Sequence, residues 1–208
     1  MTVVTRTNKL PPKVVEINHR EMRQLHFSVA NYLQMIEAGI FCDDDRLELI
    51  EGRIYHQMPH NAPHDSAITR LLRRLTKLLD DSWIVRVQPS ITLKSSVPEP
   101  DLAIVPGPEE NYDKARPTAR QIAIVIEVAE TTLSYDQTDK LVIYAANGIA
   151  EYWIVNLIDR RVQVYTEPRG GKHPTYRTRR DYTLSESIAV AIKGRVFGSL
   201  PVREILPR

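Results

Sequence analysis

Apolar residues recur along this chain in two periods, and the change from one to the other marks its elements. Between Pro63 and Asp80, Ile68, Leu71, Leu72, Leu75, Leu78 and Leu79 fall on one stripe at helical spacing, while Arg70, Arg73, Arg74 and Lys77 take the opposite face. The pattern predicts an amphipathic helix with Pro63 in its first turn. Its basic stripe is either a solvated face or a surface for a phosphate backbone. Upstream, Ser28 can cap a helix that runs to about Ala38 and stops at Gly39. Leu47–Ile50 and Arg53–Tyr55 flank Glu51-Gly52, which is a hairpin signal.

Downstream the pattern becomes extended. Trp83–Val87 and Ser90–Leu93 read as one extended run interrupted by Pro89, and Leu102–Val105 as a short strand after Pro100-Asp101. Gln121–Val128 is nearly all apolar, as a central strand buried on both faces would be, yet it carries Glu127. Asp136–Asn147 predicts a helix with Leu141, Tyr144 and Ala145 on one side and Gly148 as its stop. Glu151–Asn156 and Val162–Tyr165 predict two strands joined near Asp159-Arg160, followed by a turn-rich loop over Pro168–Pro174. Residues 175–208 show no clear period; a strand and a terminal helical turn are expected there. The whole predicts an α/β fold with a mixed central sheet and helices on both sides.

Composition adds limits. The 208 residues suit one domain over 21–208, preceded by a polar arm over 1–20 that includes Pro11-Pro12. Apolar residues at 42% and charged residues at 26% mark an ordinary globular chain. No apolar run has bilayer or signal-peptide length, so a soluble, cytoplasmic protein without membrane contact is expected. Cys42 is the single cysteine and sits beside Asp43, Asp44 and Asp45, which would raise its thiol pKa and keep it inert. Net charge is +2. Residues 159–208 hold 11 Lys/Arg against 5 Asp/Glu, which leaves the rest acidic. That division could suit a metal site beside a phosphate-binding surface, or arise by chance.

Two carboxylates stand where charge is costly. Asp101 opens one apolar strand and Glu127 lies near the end of the most apolar one. An ionised carboxylate so placed needs a partner or a cation. A hard divalent ion such as Mg²⁺, held by carboxylate oxygens, is one answer; ion pairs with arginine or amide caps are the other. His56, His60 and His64 recur every four residues and invite a zinc reading, but Pro59 and Pro63 exclude a continuous helix that would align them. His64 alone, at a helix start, is the better candidate for a peripheral role in a site.

The order of these elements resembles the PD-(D/E)XK nuclease superfamily and, within it, the Uma family named for restriction endonucleases. The matching stretches are Leu47-Glu48-Leu49-Ile50-Glu51-Gly52, His64, Pro98-Glu99-Pro100-Asp101-Leu102-Ala103, Ile126-Glu127-Val128-Ala129-Glu130-Thr131-Thr132, Asp139-Lys140-Leu141 with Tyr144, and Gly148-Ile149-Ala150-Glu151-Tyr152-Trp153-Ile154-Val155. Together they cover roughly residues 25–166. The resemblance implies a restriction-endonuclease-like fold with an added N-terminal helix and hairpin and added C-terminal strands. It also implies a Mg²⁺-dependent hydrolase, with Mn²⁺ as an alternative ion, that cleaves DNA. Asp101 and Glu127 would be metal ligands, joined by the main-chain carbonyl of Val128. The superfamily lysine belongs two residues after Glu127, where this chain has Ala129; the resemblance moves that role to Lys140 on the following helix. Glu48 would be a further acidic ligand or base. A homodimer is compatible with this class. Two rivals remain at this level: a nuclease-fold protein that binds nucleic acid without cleaving it, and an interaction protein whose acids form a structural cluster.

Overall fold

The computed structural model describes residues 24–41, 45–57 and 59–208. The expected N-terminal arm and Cys42 lie outside the described residues. Among the described residues, ten strands and five short or medium α-helices follow in chain order: α1 (Val29–Glu37), β1 (Leu47–Ile50), β2 (Arg53–His56), α2 (Ala62–Leu78), β3 (Trp83–Val87), β4 (Leu102–Pro106), β5 (Ile124–Ala129), α3 (Leu133–Tyr135), α4 (Leu141–Ala146), β6 (Glu151–Asn156), β7 (Arg161–Arg169), β8 (Thr175–Tyr182), β9 (Ser187–Ile192), β10 (Arg195–Pro201) and α5 (Val202–Ile205). No helix among the described residues is long and apolar enough to cross a membrane.

Six strands form one sheet in the order β3-β4-β5-β6-β7-β8. Only β5 and β6 run parallel; every other neighbouring pair is antiparallel. The parallel pair needs a crossover, and the helical segment from Leu133 to Ala146 supplies it. β5 lies inside the sheet and is buried at all six positions. Ile124, Ile126 and Val128 face one way, into a core with Leu71 and Leu75 of α2, Ile188 and Val190 of β9, and Ile205 of α5. Val125 and Ala129 face the other way, into a core with Tyr144, Ala145 and Tyr152. Helices therefore cover both faces of a mixed sheet.

Helix α1 begins at a capping box in which Ser28 accepts from Asn31 N. Gly39 beyond its end takes φ 65, a left-handed value that glycine adopts without a Cβ clash. The β1–β2 hairpin turns at Glu51-Gly52.

Several expectations need correction. Helix α2 runs from Ala62 to Leu78 rather than from Pro63 to Asp80, because Asn61 caps it one residue earlier by accepting from His64 N at 3.1 Å. Its basic stripe is partly engaged: Arg70 donates to Leu206 O at 2.8 Å and Arg74 pairs with Glu204 at 3.0 Å. Ser90–Leu93 does not extend β3. Gln88 takes φ 46 and Pro89 follows, so the chain turns away, and only Thr92 makes an isolated bridge, to Thr118. The strand expected over Gln121–Val128 begins at Ile124, because Ala119–Gln121 forms a 3-10 turn boxed by Thr118 and Gln121. The helix expected at Asp136 starts at Leu133 and passes through a π-helical turn over Asp136–Lys140. β7 continues to Arg169, so the loop before β8 is shorter than expected, and the segment after it holds three strands rather than one. The terminal helical turn is present as α5.

Candidate active site

The site lies at the end of β4 and β5 where both strands leave the sheet. Leu102 of β4 faces Ile126 of β5, so one further step along each antiparallel strand sets Asp101 opposite Glu127. Directly opposed residues share a face, and odd-numbered residues here face the Tyr144 core, as Ala103, Val105, Val125 and Ala129 do. The crossover helix covers that face. Its π turn admits one extra residue and brings Asp136 and Lys140 inward together, Nζ to Oδ1 at 3.9 Å.

Glu48, His64, Asp101, Glu127, Val128 and Lys140 all line one cavity of about 420 Å³, with Tyr55 and His56 of the hairpin and Tyr135 and Asp136 of the crossover. Lys140 Nζ donates to Glu127 Oε1 at 2.9 Å, and Tyr144 Oη donates to the same oxygen at 2.7 Å. Asp101 Oδ2 accepts from Val128 N at 2.8 Å and lies 3.2 Å from His64 Nε2. Glu48 Oε2 accepts from Glu99 N at 3.3 Å. Ala129, two residues after Glu127, is fully buried in the core below.

Charge in this cavity is set by burial and by neighbours. Burial raises the Glu127 carboxyl pKa, against the pull of the Lys140 ammonium, while Asp136 and Asp101 raise it further. Burial would lower Lys140, but Glu127, Glu48 and Asp136 more than offset that and hold it well above its ordinary value. The two shifts pull in different directions, since a neutral Glu127 would give Lys140 less support. The geometry decides for the ionised pair, because an ammonium and a phenol both donate into one oxygen, which suits a carboxylate. Burial also raises Asp136. Asp101 is the exception: burial would raise it, but the His64 contact, the Val128 N–H and Lys140 bring it below the usual carboxylate value. Burial would lower His64, but the Asp101 and Asp65 carboxylates outweigh it and raise its pKa. His60 is lowered, first by burial and then by His64.

The hydrogen bonds to Glu127 all fall on Oε1, those from the main chain to Asp101 on Oδ2, and that to Glu48 on Oε2. Each carboxylate keeps a second oxygen without a hydrogen bond from the described residues. An all-oxygen set of this kind suits a hard ion such as Mg²⁺. Among the described residues, one group of three His, Cys, Asp or Glu side chains has ligand atoms within 4.8 Å of one another: His60, His64 and Asp101. Glu127 and Glu48 stand outside that group, Glu127 because Lys140 and Tyr144 hold it. The three histidines spaced by four do not act together. His56 ends β2, His60 lies in the loop before α2, and His64 lies in its first turn. Sequence spacing gave no sign that Asp101 completes the set with His60 and His64. It also missed Tyr144 and Asp136 as partners of the Glu127–Lys140 pair. The inward-facing position of Tyr144, one turn after Lys140, was the available signal for the first.

β4 and β5 thus bring Asp101 and Glu127 together at their ends, under a crossover helix that carries the buried Lys140. A solved structure described as "a putative nuclease belonging to DUF820 from Anabaena variabilis ATCC 29413" shares this fold, with a TM-score of 0.64 over 86% of this chain and 97% of that one, at 14% identity. The family model Uma2, described as "Putative restriction endonuclease", matches residues 29–195, and the chain belongs to that family. No curated protein matches the chain.

Proposed function

We propose that this chain is a Mg²⁺-dependent endonuclease that hydrolyses phosphodiester bonds in DNA. The observation that carries the reading is the placement of Lys140. It reaches Glu127 at 2.9 Å from the crossover helix, beside Asp101 and Glu48, although the usual position after Glu127 holds Ala129. An ion pair this buried is a poor source of stability, so its retention at a cavity wall favours a chemical role.

The cavity is strongly acidic: Glu48, Glu99, Asp101, Glu127, Glu130 and Asp136 line it against the single lysine, Lys140. A phosphodiester anion could enter such a cavity only with a cation. Asp101, Glu127 and the Val128 carbonyl would hold Mg²⁺, or Mn²⁺ in its place, through the oxygens that the hydrogen bonds leave free. When bound, the ion would supply a Lewis acid and lower the pKa of a water ligand. Val128 N–H holds the Asp101 carboxylate through Oδ2, and no described residue hydrogen-bonds its Oδ1. Lys140, held by Glu127 and Asp136, keeps its charge and would orient the attacking water and offset charge that develops on the phosphorane oxygens. Glu48 would take the proton of that water or add an oxygen ligand. His64 lines the cavity 3.2 Å from Asp101, which it would position.

Conversion of supercoiled plasmid to nicked and linear forms tests the reading, run in Mg²⁺ and in chelator, with DNA binding measured in parallel. The expected result is Mg²⁺-dependent nicking that Asp101→Asn abolishes while the fold and DNA binding persist. Binding without nicking under any divalent ion would instead favour a nuclease-fold binding protein.

A further inference from the structure

His60 and His64 stack face to face, with ring centroids 4.1 Å apart and planes 28° apart. Both direct an Nε2 atom at the same carboxylate. His64 Nε2 lies 3.2 Å from Asp101 Oδ2, and His60 Nε2 lies 4.0 Å from Asp101 Oδ1. The loop between them is pinned at both ends. Asn61 caps α2 through His64 N and its amide donates to Glu130, while Pro59 and Pro63 restrict the backbone on either side. Gln88 Nε2 lies 3.1 Å from His60 Nδ1, and the flipped amide would place its oxygen there instead. An amide oxygen turned to that nitrogen would accept Nδ1–H and leave the Nε2 lone pair free, the outer contact that ligating histidines usually have.

We propose that His60, His64 and Asp101 form a second divalent-metal site, which takes a nitrogen-seeking transition ion such as Mn²⁺, Co²⁺ or Zn²⁺ in preference to Mg²⁺. An ion with bonds of about 2.0–2.2 Å to imidazole nitrogen and carboxylate oxygen holds tetrahedral ligands about 3.3–3.6 Å apart. The three ligand atoms lie within 4.8 Å of one another, with 3.2 Å from His64 to one Asp101 oxygen and 4.0 Å from His60 to the other, so shifts of up to about 1.5 Å bring them to that geometry. Two imidazoles and one carboxylate leave an open position on the ion, as sites that bind water or substrate do. Imidazole favours the later first-row ions, whereas Mg²⁺ takes oxygen ligands and gives up water reluctantly. The site shares Asp101 with the all-oxygen position at Glu127, so a cavity with six carboxylate side chains would gain a second cation beside the first. The proposal goes beyond the nuclease reading and does not depend on cleavage, since it is a statement about three donor atoms.

The test is titration of the full, tag-free chain with Co²⁺ in a large excess of Mg²⁺, followed by calorimetry and by the visible absorption of the ion. One Co²⁺ per chain is expected, with the absorption of a nitrogen-ligated ion. His60→Ala should weaken it by at least the roughly 10–100-fold that loss of an outer contact causes. His60 lies in a loop outside the sheet, and a thermal melt checks that the variant folds. Glu127→Gln should weaken Co²⁺ binding far less than His60→Ala does, since Glu127 supplies no ligand to this set. Displacement of Co²⁺ by Mg²⁺, or equal affinity in parent and His60→Ala, overturns the proposal, because the ion then sits on other ligands. A chain that binds Co²⁺ this way and cuts no DNA would overturn the nuclease reading alone.

Discussion

Lys140→Met removes the one ammonium in the cavity and keeps most of its aliphatic length. Lys140 is 8% exposed, and its loss leaves Glu127 and Asp136 buried without their cation. Breaking a buried pair from one side costs about 3–5 kcal/mol. The variant can limit the loss by binding a proton at Glu127. Protonating a carboxyl of ordinary pKa, about 4.3, costs about 3.7 kcal/mol at pH 7 and about 1 kcal/mol at pH 5, at about 1.4 kcal/mol per pH unit. The sign follows from burial, which raises Glu127 in the folded state. A raised carboxyl destabilises progressively as pH climbs above its unfolded value. Asp136, raised by burial as well, acts in the same direction. Urea unfolding of parent and variant in chelator should therefore show a deficit of about 3–4 kcal/mol at pH 7 that shrinks to about 1 kcal/mol at pH 5. The same variant should cut at least about a hundredfold more slowly, as for loss of one electrostatic stabiliser. No deficit at pH 7, or the same deficit at both pH values, would refute the argument that Lys140 neutralises these buried acids.

Other outcomes follow from the same contacts. Leu75→Ala should cost about 2–5 kcal/mol, since Leu75 is fully buried between α2 and the sheet, whereas Arg74→Ala, which breaks only a half-exposed pair with Glu204, should cost under about 1 kcal/mol; equal values in urea melts would contradict the assignment of the helix faces. Tyr144→Phe removes one donor to Glu127 and should cost about 1.5–3 kcal/mol, the range for a hydrogen bond to a charged group; unchanged stability would show that this bond is not made in solution. In the metal-free protein His64 should titrate above its ordinary value by NMR, and Asp101→Asn should lower it, because Asp101 is the main group that opposes the effect of burial. The His64–Asp101 contact adds stability that is complete below the unfolded histidine pKa and is lost as pH rises through the raised folded value. A His64 pKa that does not move in Asp101→Asn would refute that pairing.

Much of the fold is legible in the periodicity. The Leu stripe of α2, the apolar run of β5 and the hairpin at Glu51-Gly52 each bury one consistent face, so local pattern and tertiary position agree. β8 was not legible because its Thr-Tyr-Arg-Thr-Arg-Arg run is an edge strand with mostly exposed positions and no alternation. The failure at Ser90–Leu93 has a single backbone cause, the positive φ of Gln88 before Pro89. Within the site, the register of β4 on β5 explains why Asp101 and Glu127 could be paired from their strand ends. The π turn and the His60–His64 stack could not be read, since one depends on an extra residue in a helix and the other on a loop closing over a distant strand.

In the proposed function, cleavage depends on a divalent ion held by Asp101 and Glu127 with Lys140 beside it. The most direct measurement is the single-turnover rate of nicking as a function of Mg²⁺ concentration for the parent, Glu127→Gln and Lys140→Met, each checked for folding by circular dichroism. The account predicts a parent rate that saturates with Mg²⁺, no cleavage in Glu127→Gln, and in Lys140→Met a rate at least about a hundredfold lower that still saturates with Mg²⁺. A folded Glu127→Gln protein that nicks DNA at the parent rate and with the parent Mg²⁺ dependence would contradict it.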